Sequence, residues 1–90
     1  MIDVKVLGPG CANCERLEQM TLEALTLLEQ SHPGIELGFE KITDPMRFHE
    51  YGVLSTPGLV INNKVVISGR LPTADQIEGF LQTALDGLPG

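Results

Sequence analysis

The chain has 90 residues, enough for one domain with a small core, and 42% of them are hydrophobic and 20% charged, which excludes a disordered chain. Six Lys and Arg residues against twelve Asp and Glu residues give a net charge of −6. A surface this acidic would repel phosphate backbones and anionic lipids, so binding to nucleic acid or to a membrane surface is not expected.

The first two predicted elements are a strand and a long helix, joined by a glycine-containing turn. Ile2–Leu7 is rich in β-forming residues and predicts a strand, which Gly8-Pro9-Gly10 ends. From Cys11 onward, residues suited to a buried helix face recur at helical intervals of three and four, and they are Cys14, Leu17, Thr21, Ala24, Leu25 and Leu28. This spacing predicts an amphipathic helix, which ends where Ser31-His32-Pro33-Gly34 cannot readily continue it.

A short strand and a short helix follow this turn. Apolar residues alternate with other residues from Ile35 to Glu40, which predicts a half-buried strand. Thr43 or Asp44 is expected to cap a helix that has Pro45 at its first position and is closed by Gly52. The bulky residues of this helix are expected to pack on a face of the sheet, and they are Met46, Phe48 and Tyr51.

A hairpin and a last helix complete the predicted domain. Gly58–Ile61 and Lys64–Ile67 are β-rich runs joined by Asn62-Asn63, and asparagine tolerates the positive φ of a tight turn. Thr73–Gln76 is a capping box at the start of a helix with one apolar face. The order β-α-β-α-β-β-α predicts an α/β fold with a four-stranded mixed sheet flanked by helices. Residues 1–85 are expected to form this single domain, and residues 86–90 a flexible tail.

The chain has two cysteines, Cys11 and Cys14, in the spacing C-x-x-C. As a structural staple, a disulfide closing so short a loop would contribute only about 2 kcal/mol. A zinc site would need two further ligands, but His32 lies at the opposite end of the predicted helix and is far in sequence from His49. Binding of a soft ion such as Cu(I) by the two thiolates alone is compatible with the spacing.

The position of the cysteine pair favours redox chemistry over metal binding. Unpaired N–H groups and the positive end of the helix dipole stabilise a thiolate there and lower the pKa of Cys11. The i, i+3 spacing places the second sulfur close enough to bridge. Cys11 is therefore predicted to be the exposed nucleophile, and Cys14, on the apolar stripe, the buried resolving thiol. The sequence predicts a thiol–disulfide oxidoreductase; a soft-metal or redox-sensing module without turnover is the alternative.

These features together resemble the thioredoxin superfamily in its minimal, glutaredoxin-sized form. The resemblance rests on the Cys11–Cys14 motif, on Thr56-Pro57 at the entry to a strand, and on the order of the elements. The segments Gly8–Cys14 and Gly69–Pro72 are most similar to the small redox-active disulfide proteins of prokaryotes. The resemblance therefore implies a thioredoxin-like fold and disulfide exchange as the activity.

Further expectations about the site come from this resemblance. It implies that the peptide bond before Pro57 is cis and that Pro57 lies against the disulfide. It also implies that the backbone of Thr56 pairs with an extended substrate segment, so Thr56 and Pro57 are the expected substrate-binding residues. Cys11 and Cys14 are the expected catalytic residues. The implied partners are disulfide-containing substrate proteins and an electron donor similar to thioredoxin reductase.

The sequence departs from the superfamily at several positions. Gly10 stands where thioredoxins usually have Trp, and Ala12-Asn13 replaces their Gly-Pro. No aspartate occupies an obviously buried strand position from which to accept the proton of the resolving thiol. A single Gly69 followed by Thr73 replaces the Gly-Gly and Asp that help glutaredoxins hold glutathione. We therefore expect no glutathione as a dedicated cofactor. The ligand spacing described above also predicts no bound metal, so the redox-active disulfide is the only cofactor expected.

The sequence also carries expectations about the compartment. Met1–Lys5 lacks the basic start and apolar stretch of a signal peptide, and no apolar run approaches the roughly 18–20 residues that cross a bilayer. We therefore expect a cytoplasmic protein, in a compartment where idle thiols are kept reduced. A small acidic chain without an evident apolar patch is expected to be a monomer.

Overall fold

A computed structural model of the chain describes residues 1–87. The described residues form four strands and three helices, whose bounds are β1 Ile2–Leu7, α1 Ala12–Ser31, β2 Leu37–Ile42, α2 Pro45–Glu50, β3 Gly58–Ile61, β4 Lys64–Ser68 and α3 Ala74–Asp86. The predicted element order and the thioredoxin-like α/β fold are confirmed. Of the tail predicted for residues 86–90, Asp86 ends α3, Gly87 is its cap, and residues 88–90 lie outside the described residues.

The strands form one mixed sheet in the order β2-β1-β3-β4. β1 and β2 are parallel and pair without interruption, from Ile2 opposite Leu37 to Leu7 opposite Ile42. This register explains why β2 begins and ends two residues later than the alternation of side chains predicts. The carboxyl ends of β1 and β2 consequently lie at the same end of the sheet.

The hairpin of β3 and β4 is built by its turn residues, as predicted. Asn62 and Asn63 both have positive φ, at 50° and 65°, which is the backbone of a tight two-residue turn. A β-bulge shifts the register after Leu59, so that Val66 has no residue opposite it in β3. Because β3 is antiparallel to both β1 and β4, the hairpin brings Gly58 and Ser68 to the end of the sheet that carries the turn after β1.

The two faces of the sheet are covered by different helices. α1 and α3 cover the face that presents Ile2, Val4 and Val6, and the short α2 covers the face that presents Leu7. Phe48 and Tyr51 pack on the second face, but the same prediction for Met46 is wrong, since its side chain is 77% exposed. Side chains two residues apart on a helix are separated by about 200° around the helix axis. Met46 therefore cannot share the sheet-facing side of α2 with Phe48.

Charged side chains share the α2 face of the sheet with this smaller core. Lys5 forms an ion pair with Asp3 on the same face of β1, and this hydrogen bond raises the pKa of Lys5. Arg47 Nη1 of α2 lies 2.7 Å from Glu40 Oε2 of β2, and this hydrogen bond lowers the pKa of Glu40 and raises that of Arg47. The second pair links α2 to β2, although exposed pairs of this kind contribute little stability.

One hydroxyl in the larger core has no hydrogen-bond partner among the described residues. Thr21 is fully buried on α1, and its Oγ1 is unpaired. Thr21→Val keeps the shape and removes the unpaired group, so the free energy of unfolding should rise by about 1 kcal/mol in urea or thermal denaturation. Thr26→Val is the matched control, because Thr26 is exposed and its hydroxyl donates to Leu22 O. A loss of stability in Thr21→Val would contradict this prediction.

Candidate active site

The two cysteines lie where β1 gives way to α1. Cys11 is the N-cap of α1, Cys14 is the third residue of the helix, and the two are joined in a disulfide with their Cα atoms 5.0 Å apart. The backbone N–H of Cys14 donates to Cys11 Sγ at 3.2 Å, so the sulfur takes the place that a serine or aspartate oxygen usually has in an N-cap. The predicted juxtaposition of the two sulfurs at the start of a helix is confirmed.

The two sulfurs differ in their access to solvent. Cys11 is exposed, whereas Cys14 is only 2% exposed and lies on the same buried face of α1 as Leu17 and Thr21. This difference follows from the helix, since residues spaced by three and four share its sheet-facing side. A reagent in solvent can therefore reach Cys11 and not Cys14, as the apolar stripe predicts.

The Thr56–Pro57 step lies at the same end of the sheet as the cysteines. The peptide bond between these residues is cis, as the resemblance implies. Leu7, the last residue of β1, pairs with Gly58, the first residue of β3. The chain therefore leaves β1 toward Cys11 beside the point where it enters β3 from Pro57. Direct contact between Pro57 and the disulfide stays a prediction.

The end of β4 holds the loop around Thr56. Gly69 N–H donates to Pro57 O at 2.9 Å, and Ser68 Oγ donates to Ser55 O at 3.4 Å. Both neighbours of Thr56 are thus fixed, whereas its own N–H and C=O have no hydrogen-bond partner among residues 1–87.

Gly69 and Ser55 form a close contact that the sequence patterns do not predict. Gly69 has φ +81°, and a Cβ at this position would lie 2.9 Å from Ser55 Cβ. The one local indication is Gly69 itself, since a glycine shortly after a β-rich run indicates a special backbone position. Its partner Ser55 lies 14 residues earlier, and no local pattern connects the two residues.

Other ionisable groups are kept out of the interior around the site. Thr21 is the one polar residue that is buried in the described part of the chain, so no carboxylate is buried beside Cys14. Within residues 1–87, no three His, Cys, Asp or Glu side chains come together as a metal site. Across the same residues, no helix has both the length and the apolar character needed to cross a membrane.

Comparison with known proteins gives a consistent result across almost the whole chain. Residues 2–82 match the family model of the thioredoxin domain. The chain is 35% identical over 81 residues to a thioredoxin of Methanothermobacter thermautotrophicus, covering 90% of this chain and 99% of that protein. It is 28% identical over 87 residues to a thioredoxin of Methanocaldococcus jannaschii, covering 97% of this chain and 94% of that protein.

Proposed function

The chain belongs to the thioredoxin family, and on this premise we propose that it is a thiol–disulfide oxidoreductase that reduces disulfides of proteins or small molecules through Cys11 and Cys14. The observation that carries the proposal is the disulfide itself, which joins an exposed sulfur at a helix N-cap to a buried sulfur one turn later. A structural staple gains nothing from this asymmetry, whereas in stepwise exchange it leaves one sulfur open to attack and keeps the other for the second step.

Cys11 performs the first step of the proposed reaction. In the disulfide Cys14 N–H already donates to Cys11 Sγ, so in the reduced chain this N–H and the positive end of the α1 dipole are placed to stabilise the exposed Cys11 thiolate. The thiolate attacks one sulfur of the substrate disulfide, forming a bond between Cys11 and that sulfur. The other substrate sulfur leaves with the electron pair and takes up a proton.

Cys14 performs the second step, inside the molecule. Its thiolate attacks the Cys11 sulfur of the mixed disulfide, and the remaining substrate thiolate leaves. The substrate is then fully reduced and the chain holds the oxidised Cys11–Cys14 pair. Because Cys14 is buried and adjacent, its attack is intramolecular and outpaces release of a half-reduced substrate.

Thr56 and Pro57 are the proposed substrate-binding residues. The N–H and C=O of Thr56, unpaired among the described residues, can pair with an extended substrate segment that carries the disulfide. The bonds from Gly69 to Pro57 and from Ser68 to Ser55 hold the loop in place for this purpose. Backbone recognition of this kind does not read the substrate's side chains, which suits a reductase with several substrates.

We propose the following partners and setting for the same reaction. A reductase similar to thioredoxin reductase restores the dithiol, and the net charge of −6 favours partners with basic docking surfaces. The chain acts as a monomer in the cytoplasm, without glutathione or a metal as a dedicated cofactor. The couple between Cys11 and Cys14 is the only redox group that the reaction needs.

Reduction of insulin by dithiothreitol, with and without the chain, tests the proposal. We expect the chain to accelerate the reduction catalytically. We also expect that Cu(I) or Zn(II), titrated into the same preparation, does not bind tightly and stoichiometrically in competition with a chelator. No acceleration combined with tight metal binding would instead identify a soft-metal module. No acceleration and no metal binding would favour a redox sensor without turnover.

A further inference from the structure

The backbone after β1 lies directly against the buried sulfur of the cysteine pair. Gly8 is itself buried, and a Cβ at this position would lie 2.8 Å from Cys14 Cβ and closer still to Cys14 Sγ. Real Cβ atoms essentially never lie this close to another heavy atom, so a side chain at position 8 forces Cys14 to move. Cys14 can lie this deep only because residue 8 has no side chain.

The backbone conformation is not the reason for glycine at this position. Gly10 has φ +103°, in the left-handed region, but Gly8 lies outside that region, so its φ does not itself require glycine. Gly8 N–H donates to Ile42 O at 2.9 Å, which fixes Gly8 to the end of β2. On the other side, Cys14 is fixed by the first turn of α1 and by its bond to Cys11. Neither side of the contact can retreat at low cost.

We infer that Gly8 is a positioning residue for disulfide exchange, which holds the Cys14 sulfur behind Cys11 so that external thiols attack Cys11 alone. The inference rests on the proposed oxidoreductase function. In that exchange an external thiolate bonds to Cys11 Sγ, the bond to Cys14 breaks, and the electron pair stays on the Cys14 sulfur. The atoms nearest to an added Cβ at position 8 all belong to Cys14, so Gly8 acts through the place it leaves for that residue.

A side chain at position 8 should oppose the oxidised state more than the reduced state. In the disulfide, the bond to Cys11 holds Cys14 Sγ against Gly8. In the dithiol, the same sulfur is free to turn to another rotamer and relieve its part of the contact, whereas the contact with Cys14 Cβ is the same in both states. Gly8→Ala is therefore expected to favour the dithiol and to make the Cys14 thiol more accessible to solvent.

The reduction potential of Gly8→Ala, measured in glutathione redox buffers, tests this inference. We expect the equilibrium to shift towards the dithiol by at least tenfold, which corresponds to about 30 mV, and the alkylation rate of Cys14 relative to Cys11 to rise. Gly79→Ala is the matched control, because Gly79 is an exposed helical glycine at which an added Cβ would meet no atom within 4 Å, and its potential should not change. An unchanged potential in Gly8→Ala would overturn the inference.

A second measurement covers the case in which Gly8→Ala folds poorly. The fall in melting temperature caused by Gly8→Ala should be largest in the oxidised chain, smaller in the reduced chain, and smallest in a Cys14→Ala background that lacks the sulfur. Equal losses in all three, or loss of folding in the Cys14→Ala background as well, would refute the role of the sulfur contact. Neither measurement requires substrate turnover. Failure of the proposed function would therefore show separately, because the unsubstituted chain would have a measurable reduction potential for Cys11 and Cys14 but would not accelerate insulin reduction.

Discussion

Cys11→Ser is expected to abolish catalysed reduction of a protein disulfide, lowering the rate by roughly a thousandfold or more. The variant loses the thiolate that forms the mixed disulfide, and the buried Cys14, only 2% exposed, cannot replace it. Turnover of insulin at a fixed dithiothreitol concentration measures the effect. A Cys11→Ser variant that kept a tenth or more of the parent's activity would show that Cys14 or another group attacks the substrate.

Cys14→Ser should have a different effect from Cys11→Ser, because it blocks the second step of the exchange and leaves the first step intact. Cys11 remains exposed at the helix N-cap and still attacks a substrate disulfide, but the mixed disulfide is no longer resolved from within. We expect covalent adducts to accumulate in a cell extract and to disappear on reduction. The double variant Cys11→Ser, Cys14→Ser is the control, and equal recovery of adducts from it would contradict attack by Cys11.

Gly69→Ala is expected to lower the free energy of unfolding by about 2–4 kcal/mol. An L-residue at φ +81° costs roughly 1–2 kcal/mol, and the added Cβ would lie 2.9 Å from Ser55 Cβ. The contact involves a Cβ rather than the end of a flexible side chain, so the backbone of the Thr56 loop must shift. We also expect a higher KM for protein disulfides, since this loop is the proposed substrate edge.

Two further variants separate the backbone term from the contact. Gly52→Ala carries the same kind of penalty at φ +74° but meets no atom within 4 Å, so it should cost only the backbone term and leave KM unchanged. The double variant Ser55→Gly, Gly69→Ala lacks the contact, so its loss of stability should fall from that of Gly69→Ala to that of Gly52→Ala. Chemical denaturation and insulin kinetics give both readouts. Equal losses in Gly69→Ala and Gly52→Ala would contradict a role for the Ser55 contact.

The features that could be predicted from sequence depend on neighbours along the chain. The spacing from Cys11 to Leu28 specifies α1, Asn62-Asn63 specifies the hairpin turn, and Thr73 forms the predicted capping box with Gln76. Each is a local pattern in which a few adjacent residues determine the backbone. The burial of Cys14 could be predicted for the same reason, since its position on the apolar stripe of α1 decides it.

The features that could not be predicted depend on contacts between distant segments. The bounds of β2 are set by its register with β1, which the alternation from Ile35 does not contain. The sequence marks Gly8 as a strand breaker, but its contact with Cys14 is set by the path of the turn that packs the start of α1 against the end of β1, which no local pattern gives. The contact of Ser55 with Gly69 likewise requires the completed hairpin. Tertiary packing therefore decides how the site is supported, while local pattern decides where its cysteines lie.

The pH dependence of alkylation at the two cysteines tests the central claim most directly. The reduced chain is treated with iodoacetamide from about pH 5 to about pH 10, and modification of Cys11 and Cys14 is followed separately by mass spectrometry of the peptides. The exposed N-cap position of Cys11 predicts that it reacts first, with an apparent pKa below the free value of about 8.5, while Cys14 is protected. An apparent pKa for Cys11 at or above that value, or equal rates at the two sulfurs, would contradict the account.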